Sequence, residues 1–171
     1  MKYNHLTHID IADYYQFITF RTRDSTDSFL KKLNYQKKLE GEKQLEIDNY
    51  LDQSKQGAYL NSDALVYLNS YLREADSRFY ILSAFAIMPN HVHLLVKPLL
   101  NLSSMMQRLK GESANKLNKI LERKGVFWES DYYDKAIRDE KHYQIVYNYI
   151  QKNPLKLTDN NENRFYGIYD D

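Results

Sequence analysis

Apolar positions along the chain fall into a few periodic segments joined by polar breaks. Residues 16–22 (Gln16, Phe17, Ile18, Thr19, Phe20, Arg21, Thr22) are rich in β-branched and aromatic types and stop at Asp24-Ser25-Thr26-Asp27, the pattern of a strand and its turn. Residues 28–60 mix charge with scattered Leu and Tyr, show weak helical periodicity and are broken at Gly41 and Gly57, which predicts an irregular or partly helical excursion. Asn61-Ser62-Asp63 then offers an N-cap, and Leu65, Leu68, Tyr71 and Leu72 keep the i, i+3, i+4, i+7 spacing of a helix over 63–75. Two apolar runs, 78–87 and 91–97, flank Met88-Pro89-Asn90 and predict an antiparallel hairpin. A helix from Ser103 or Ser104 to about Arg123 follows, with Met105, Leu109, Leu117, Ile120 and Leu121 as its apolar stripe and Gly125 as its end. Extended segments at 126–128 and 132–138 precede a last helix, 139–152, which stops at Asn153-Pro154. The order strand, helix, strand, strand, helix, strand, helix predicts an α+β fold, an antiparallel sheet with helices packed on it, and leaves the strand order open.

Composition narrows the class. A chain of 171 residues suits one domain, here 1–171, with 28–60 as an excursion and 158–171 as an acidic tail. The absence of cysteine excludes a disulfide scaffold and any thiolate metal site. No apolar run reaches the ~18 residues of a membrane span, and the first residues lack a signal-like stretch, so a cytoplasmic protein with no membrane partner is expected. The overall charge of +1 hides an asymmetry, with +5 over residues 97–156 and −3 over 157–171. On the 103–124 helix, Arg108, Lys110, Lys116 and Lys119 form a basic face. Such a face is more often solvated than bound, yet it is also the footprint of a polyanion partner.

The sharpest chemical feature is His91-Val92-His93. Residues i and i+2 of a strand share a face, so both imidazoles project together, half of a transition-metal site. An arbitrary pair of this kind more often lines a solvated edge. On the last helix, Tyr143, Val146, Tyr147 and Ile150 form the core stripe, while Tyr149 and Asn153 are i, i+4 neighbours on the adjoining one. Taken singly, Tyr149 reads as a packing residue and Asn153 as a C-cap. Taken with the histidines they suit phosphodiester chemistry. A tyrosine with a pKa of about 10 attacks at neutral pH when a metal polarises its electrophile.

The segments Met88–Val96, Phe127–Asp139 and Tyr147–Lys156, in that order, resemble the His-hydrophobic-His motif, the following segment and the tyrosine helix of the single-tyrosine HUH transposases, above all the REP-associated tyrosine transposases. The resemblance runs from about residue 15 to 157. It implies a ferredoxin-like or RRM-like sheet, Tyr149 as nucleophile, His91, His93 and Asn153 as ligands of a divalent metal (Mg²⁺ or Mn²⁺), and single-stranded or hairpin DNA as substrate. The implied reaction leaves a 5′-phosphotyrosine and a free 3′-OH that later rejoins strands, by a monomer or a homodimer. Within this frame Arg108, Lys110, Lys116, Lys119 and Arg138 are candidate DNA contacts. The alternative is a catalytically idle, domesticated binder of structured single-stranded DNA.

Overall fold

The computed structural model describes residues 14–25, 40–157 and 161–170. Strand β1 (Gln16–Arg21) pairs antiparallel with β3 (His91–Pro98) on one side and with β4 (Tyr133–Ala136) on the other. Strand β2 (Tyr80–Ile87) joins β3 through the Met88–Asn90 turn, and β5 (Phe165–Gly167) pairs on its free edge. The resulting order, β4-β1-β3-β2-β5, answers the question that periodicity left open. Its first four strands have the ferredoxin-like arrangement.

The helices divide between the two faces. Helix α2 (Ser62–Glu74) and helix α3 (Leu102–Ile120) bury Leu65, Leu68, Leu72, Met105, Leu109 and Leu117 against Ile18, Phe20, Phe85, Ile87, Val92 and Leu94. Helix α4 (Glu140–Lys152) lies on the other face, packing Val146, Tyr147 and Ile150 on Ala84, Ala86 and Leu95. Successive β3 residues therefore alternate between two hydrophobic clusters, which explains why 91–98 reads as a continuous apolar run apart from its histidines.

Several boundaries follow from side-chain chemistry. Asn101, two residues before the first of the expected serines, caps α3 by accepting from the Ser103 and Ser104 amides at 3.0 and 3.3 Å. Asp139 caps α4 by accepting from the His142 amide at 2.7 Å. Part of the 28–60 excursion is a regular helix, α1 (Glu40–Gln53), and residues 28–39 of it lie outside the described residues.

The segment expected as an acidic tail contributes structure. Besides forming β5, it buries Arg164 (5% exposed), whose guanidinium donates to the carbonyls of Leu60 and Ile87 at 3.1 and 2.9 Å and to Asn61 Oδ1 at 2.7 Å. Charge count alone hides this role, because the residue that matters is the one cation among the tail's acids.

Candidate active site

Three elements meet on the α4 face of the sheet. Strand β3 presents His91 and His93, both fully buried, across from Arg21 and Thr19 of β1. Their rings lie 4.9 Å apart, centroid to centroid, and the Tyr149 ring of α4 stands 5.4 Å from that of His93. Phe17 completes the wall, stacked on His93 and edge-on to Tyr149. Asn153, at the C-terminal end of α4, is also fully buried. The structure thus gathers the four residues singled out by the sequence.

Neighbours set the state of the histidines. The Asn90 amide nitrogen faces the carbonyls of Leu51, Ser54 and Gln56 at 3.0, 3.3 and 3.4 Å, which fixes its carboxamide oxygen toward His91 Nδ1 at 2.7 Å. A carboxamide oxygen only accepts, so His91 carries its proton on Nδ1 and leaves a lone pair on Nε2. His93 Nδ1 is held by Thr19 Oγ1 at 2.7 Å. Burial, reinforced by the charges of Lys156 and, for His91, of His93 and Arg21, holds His91 well below the ordinary imidazole range and pushes His93 down to about 3. Both rings are neutral at physiological pH, as metal ligands must be.

His91 Nε2, His93 Nε2 and Asn153 Oδ1 are buried and have no hydrogen-bond partner among the described residues. Native interiors rarely leave such atoms unmatched, and all three are of the kind that ligates a cation. Among the described residues no three His, Cys, Asp or Glu side chains gather closely enough to hold a metal ion. The Asn153 carboxamide oxygen is a donor of another kind. The donor set of two imidazoles and an amide oxygen fits a divalent first-row ion.

Helix α1 adds residues that periodicity did not single out. Its buried Asp48 accepts from the Tyr149 hydroxyl at 3.2 Å and from the Gln44 amide at 2.8 Å. One turn on, Asp52 accepts from Lys156 Nζ at 2.8 Å and lies 3.6 Å from His91 Nε2, a polar approach rather than an ion pair because His91 is uncharged. Burial pushes Asp48 up to about 7, the Gln44 and Tyr149 hydrogen bonds opposing it. Burial also raises Asp52, against the pull of Lys156. The Tyr149 hydroxyl is raised by burial first and by the nearby Asp48 charge second. The signal available in the sequence was Gln44, Asp48 and Asp52 at four-residue intervals beside Ile47 and Leu51, a polar stripe touching a buried one.

The other tyrosines of α4 have different surroundings. Tyr147 donates to Asp170 at 2.5 Å and accepts from the Tyr169 amide at 3.1 Å, and Tyr143 packs edge-on to Tyr15. His142 accepts from the Arg138 amide at 3.1 Å, at the far end of the helix from Asn153. The basic candidates are not brought to the site. Arg108, Lys116 and Lys119 are exposed on α3, across the sheet from Tyr149, and Arg138 is exposed before α4. Lys110 donates to the carbonyls of Glu129 and Ser130 at 2.6 and 3.2 Å, and burial lowers its ammonium to about 8.

Comparison with known proteins bears on this arrangement. The family model described as "Transposase IS200 like" matches residues 54–153, which span the hairpin, α3, β4 and α4. The chain belongs to the IS200-like transposase family. An uncharacterized protein of Haemophilus influenzae is 32% identical over 95 residues, covering 42% of this chain and 52% of that protein, so the chain spans about half the length of this curated relative. Among solved structures, a REP-associated tyrosine transposase bound to a REP hairpin superposes over 90% of this chain and 74% of that chain, with a TM-score of 0.53 at 18% identity. At that identity the likeness is one of fold. Helix α1, with Asp48 and Asp52, precedes the stretch matched by the IS200-like family model. Among the described residues no helix is long and apolar enough to cross a membrane.

Proposed function

We propose that this chain cuts and rejoins single-stranded DNA, with Tyr149 as the nucleophile. The observation that carries the reading is the convergence of the Tyr149 ring on His93, beside three buried ligand-type atoms, His91 Nε2, His93 Nε2 and Asn153 Oδ1, that lack hydrogen-bond partners among the described residues. Tyr149 Oη attacks the scissile phosphorus and the bond from phosphorus to the 3′-oxygen breaks. The 5′ end is left on the tyrosine and the other strand carries a free 3′-OH. Attack by a 3′-OH on the phosphotyrosine reverses the step, so strand joining needs no nucleotide cofactor. A divalent metal held by His91, His93 and Asn153 would draw charge from the phosphate oxygens as it builds up in the transition state. The hairpin bound by the structural neighbour supports DNA hairpins as the substrate class.

The test is incubation with labelled single-stranded hairpin DNA and Mn²⁺, followed by denaturing electrophoresis. Wild type should give a covalent protein–DNA adduct and Tyr149→Phe none, because phenylalanine lacks the hydroxyl oxygen that forms the bond. An adduct surviving in Tyr149→Phe removes Tyr149 from this role. Tight hairpin binding with no adduct in either protein favours the idle binder instead.

The ligand set adds a metal preference. Mg²⁺ selects oxygen donors, whereas two imidazoles are better suited to Mn²⁺. Adduct formation should therefore proceed at least as fast in Mn²⁺ as in Mg²⁺. Activity in Mg²⁺ alone contradicts a site built on His91 and His93.

A further inference from the structure

We propose that Asp48 of helix α1 takes the proton from Tyr149 as the tyrosine attacks phosphorus, and returns it when the strand is rejoined. The inference rests on Tyr149 being the nucleophile and goes beyond it by naming the residue that makes the hydroxyl reactive.

The geometry is that of a positioned base. Gln44 holds Asp48 Oδ1 at 2.8 Å, which turns Oδ2 toward Tyr149 Oη at 3.2 Å. Asp48 is 4% exposed, so water competes poorly for that oxygen. The supporting helix is itself anchored. Asp52 ties it to Lys156, three residues beyond Asn153, and the Leu51 carbonyl ties it to Asn90, the residue that orients His91. Base, nucleophile and histidines are thus referred to one another through short side-chain links.

The chemistry requires such a group. A phenol with an ordinary pKa of about 10 is almost wholly un-ionised at neutral pH, so a neighbour must take its proton as it attacks. Concerted transfer avoids a free tyrosinate. The bond from Oη to phosphorus forms as the Oη–H proton passes to Oδ2, and the departing 3′-oxygen keeps the electron pair of the broken bond and is protonated from solvent. In the reverse step the protonated carboxyl hands its proton to Oη as the phosphotyrosine bond breaks, and the attacking 3′-OH gives its own to solvent. Among the described residues, the charged and titratable groups acting on Asp48 are Asp52 on its own helix, Lys156 on the turn after α4, and Tyr149 on α4. Asp52 opposes ionisation of Asp48 and Lys156 favours it. A carboxyl near pH 7 in this setting is half ready as base and half as acid, which suits a reaction run in both directions.

Asp48→Asn keeps the shape and an accepting oxygen but cannot take the proton. The rate of adduct formation on the labelled hairpin should fall at least about 100-fold, the usual scale of base catalysis. The rise of the wild-type rate through the neutral pH range should vanish, while hairpin and Mn²⁺ affinity stay unchanged. A second probe needs no DNA. Diisopropyl fluorophosphate should label Tyr149, seen by mass spectrometry, with fluoride leaving as the tyrosine–phosphorus bond forms, and Asp48→Asn should slow that labelling as well. Equal rates and pH profiles in wild type and Asp48→Asn overturn the proposal, as does a variant that loses hairpin affinity together with rate. The two readings fail separately. If Tyr149→Phe abolishes the hairpin adduct while Asp48→Asn leaves it intact, only the base assignment falls. If Asp48 governs fluorophosphate labelling but no hairpin yields an adduct, only the DNA reaction falls.

Discussion

Asp48→Asn should make this protein more stable at pH 8 by up to roughly 4 kcal/mol and leave it nearly unchanged near pH 4. The Asp48 carboxyl moves from 3.8 to about 7 on folding, with burial as the leading cause. Each pKa unit corresponds to about 1.36 kcal/mol between the two protonation states, so some three units amount to about 4 kcal/mol. The sign follows from proton binding. A raised folded pKa means that the native state holds the proton more tightly, so the contribution of Asp48 is fully present below the unfolded value. It is lost as pH climbs toward 7, and above that the folded protein carries the whole penalty of a buried carboxylate. Asparagine is neutral throughout and escapes it. Urea unfolding of both proteins at pH 8 and pH 4 measures the difference directly. Equal stability at pH 8 would mean that the carboxylate is well solvated or well paired, against its burial in the structure. A stabilising change at a residue proposed to act on the nucleophile is the expected mark of a site that gives up stability for reactivity.

The second large effect belongs to Arg164. Arg164→Ala strips one guanidinium from two main-chain carbonyls and one side-chain oxygen, at Leu60, Ile87 and Asn61. Unsatisfied buried acceptors cost about 1–3 kcal/mol each, less whatever an entering water restores, so a loss of roughly 3 kcal/mol is expected. For a chain of this size that lowers Tm by on the order of 6–12 °C. Differential scanning calorimetry of Arg164→Ala and Arg164→Met distinguishes hydrogen bonding from packing. Arg164→Met, which refills the volume, should recover little if the acceptors are what matter. A near-wild-type Tm in both variants would show that Arg164 is dispensable. Ile87 and Leu60 flank the Met88–Asn90 turn, since the Leu60 amide donates to the Pro89 carbonyl at 2.9 Å. Damage at Arg164 should therefore reach Asn90 and the tautomer of His91.

Much of this was legible in the sequence for a physical reason. Where one face of an element is buried, its residues carry a period, as in α2 and α4, and strands buried on both faces, as β2 and β3 are, read as continuous apolar runs. The same logic separated Tyr149 from Tyr147, which falls on the buried stripe and is 6% exposed. Helix α1 was obscure because it buries little apolar surface, chiefly Ile47 and Leu51, and uses its inner face for Asp48, a residue type that periodicity counts as outward. Strand β5 was obscure because three residues are too few to establish an alternation. The α3 cap shifted to Asn101 because two adjacent serines offered an equally good cap on paper, and only the backbone path decides among them. Lys110 counted toward a basic face, although its ammonium is engaged with two backbone carbonyls.

Strand β3 reads as chemistry from one side and as core from the other. His91, His93 and Leu95 look toward α4, and Val92, Leu94 and Val96 toward α2 and α3. A slip of one residue against either neighbour would drive two imidazoles into the apolar cluster and bring valine and leucine to the site. The irregularity in β2 between Leu82 and Ala84 helps forbid that slip, because it accommodates Ser83 at one point of the ladder alone. The strand cutting proposed above is consequently also a test of register: a molecule mispaired at β3 would hold no imidazole pair beside Tyr149.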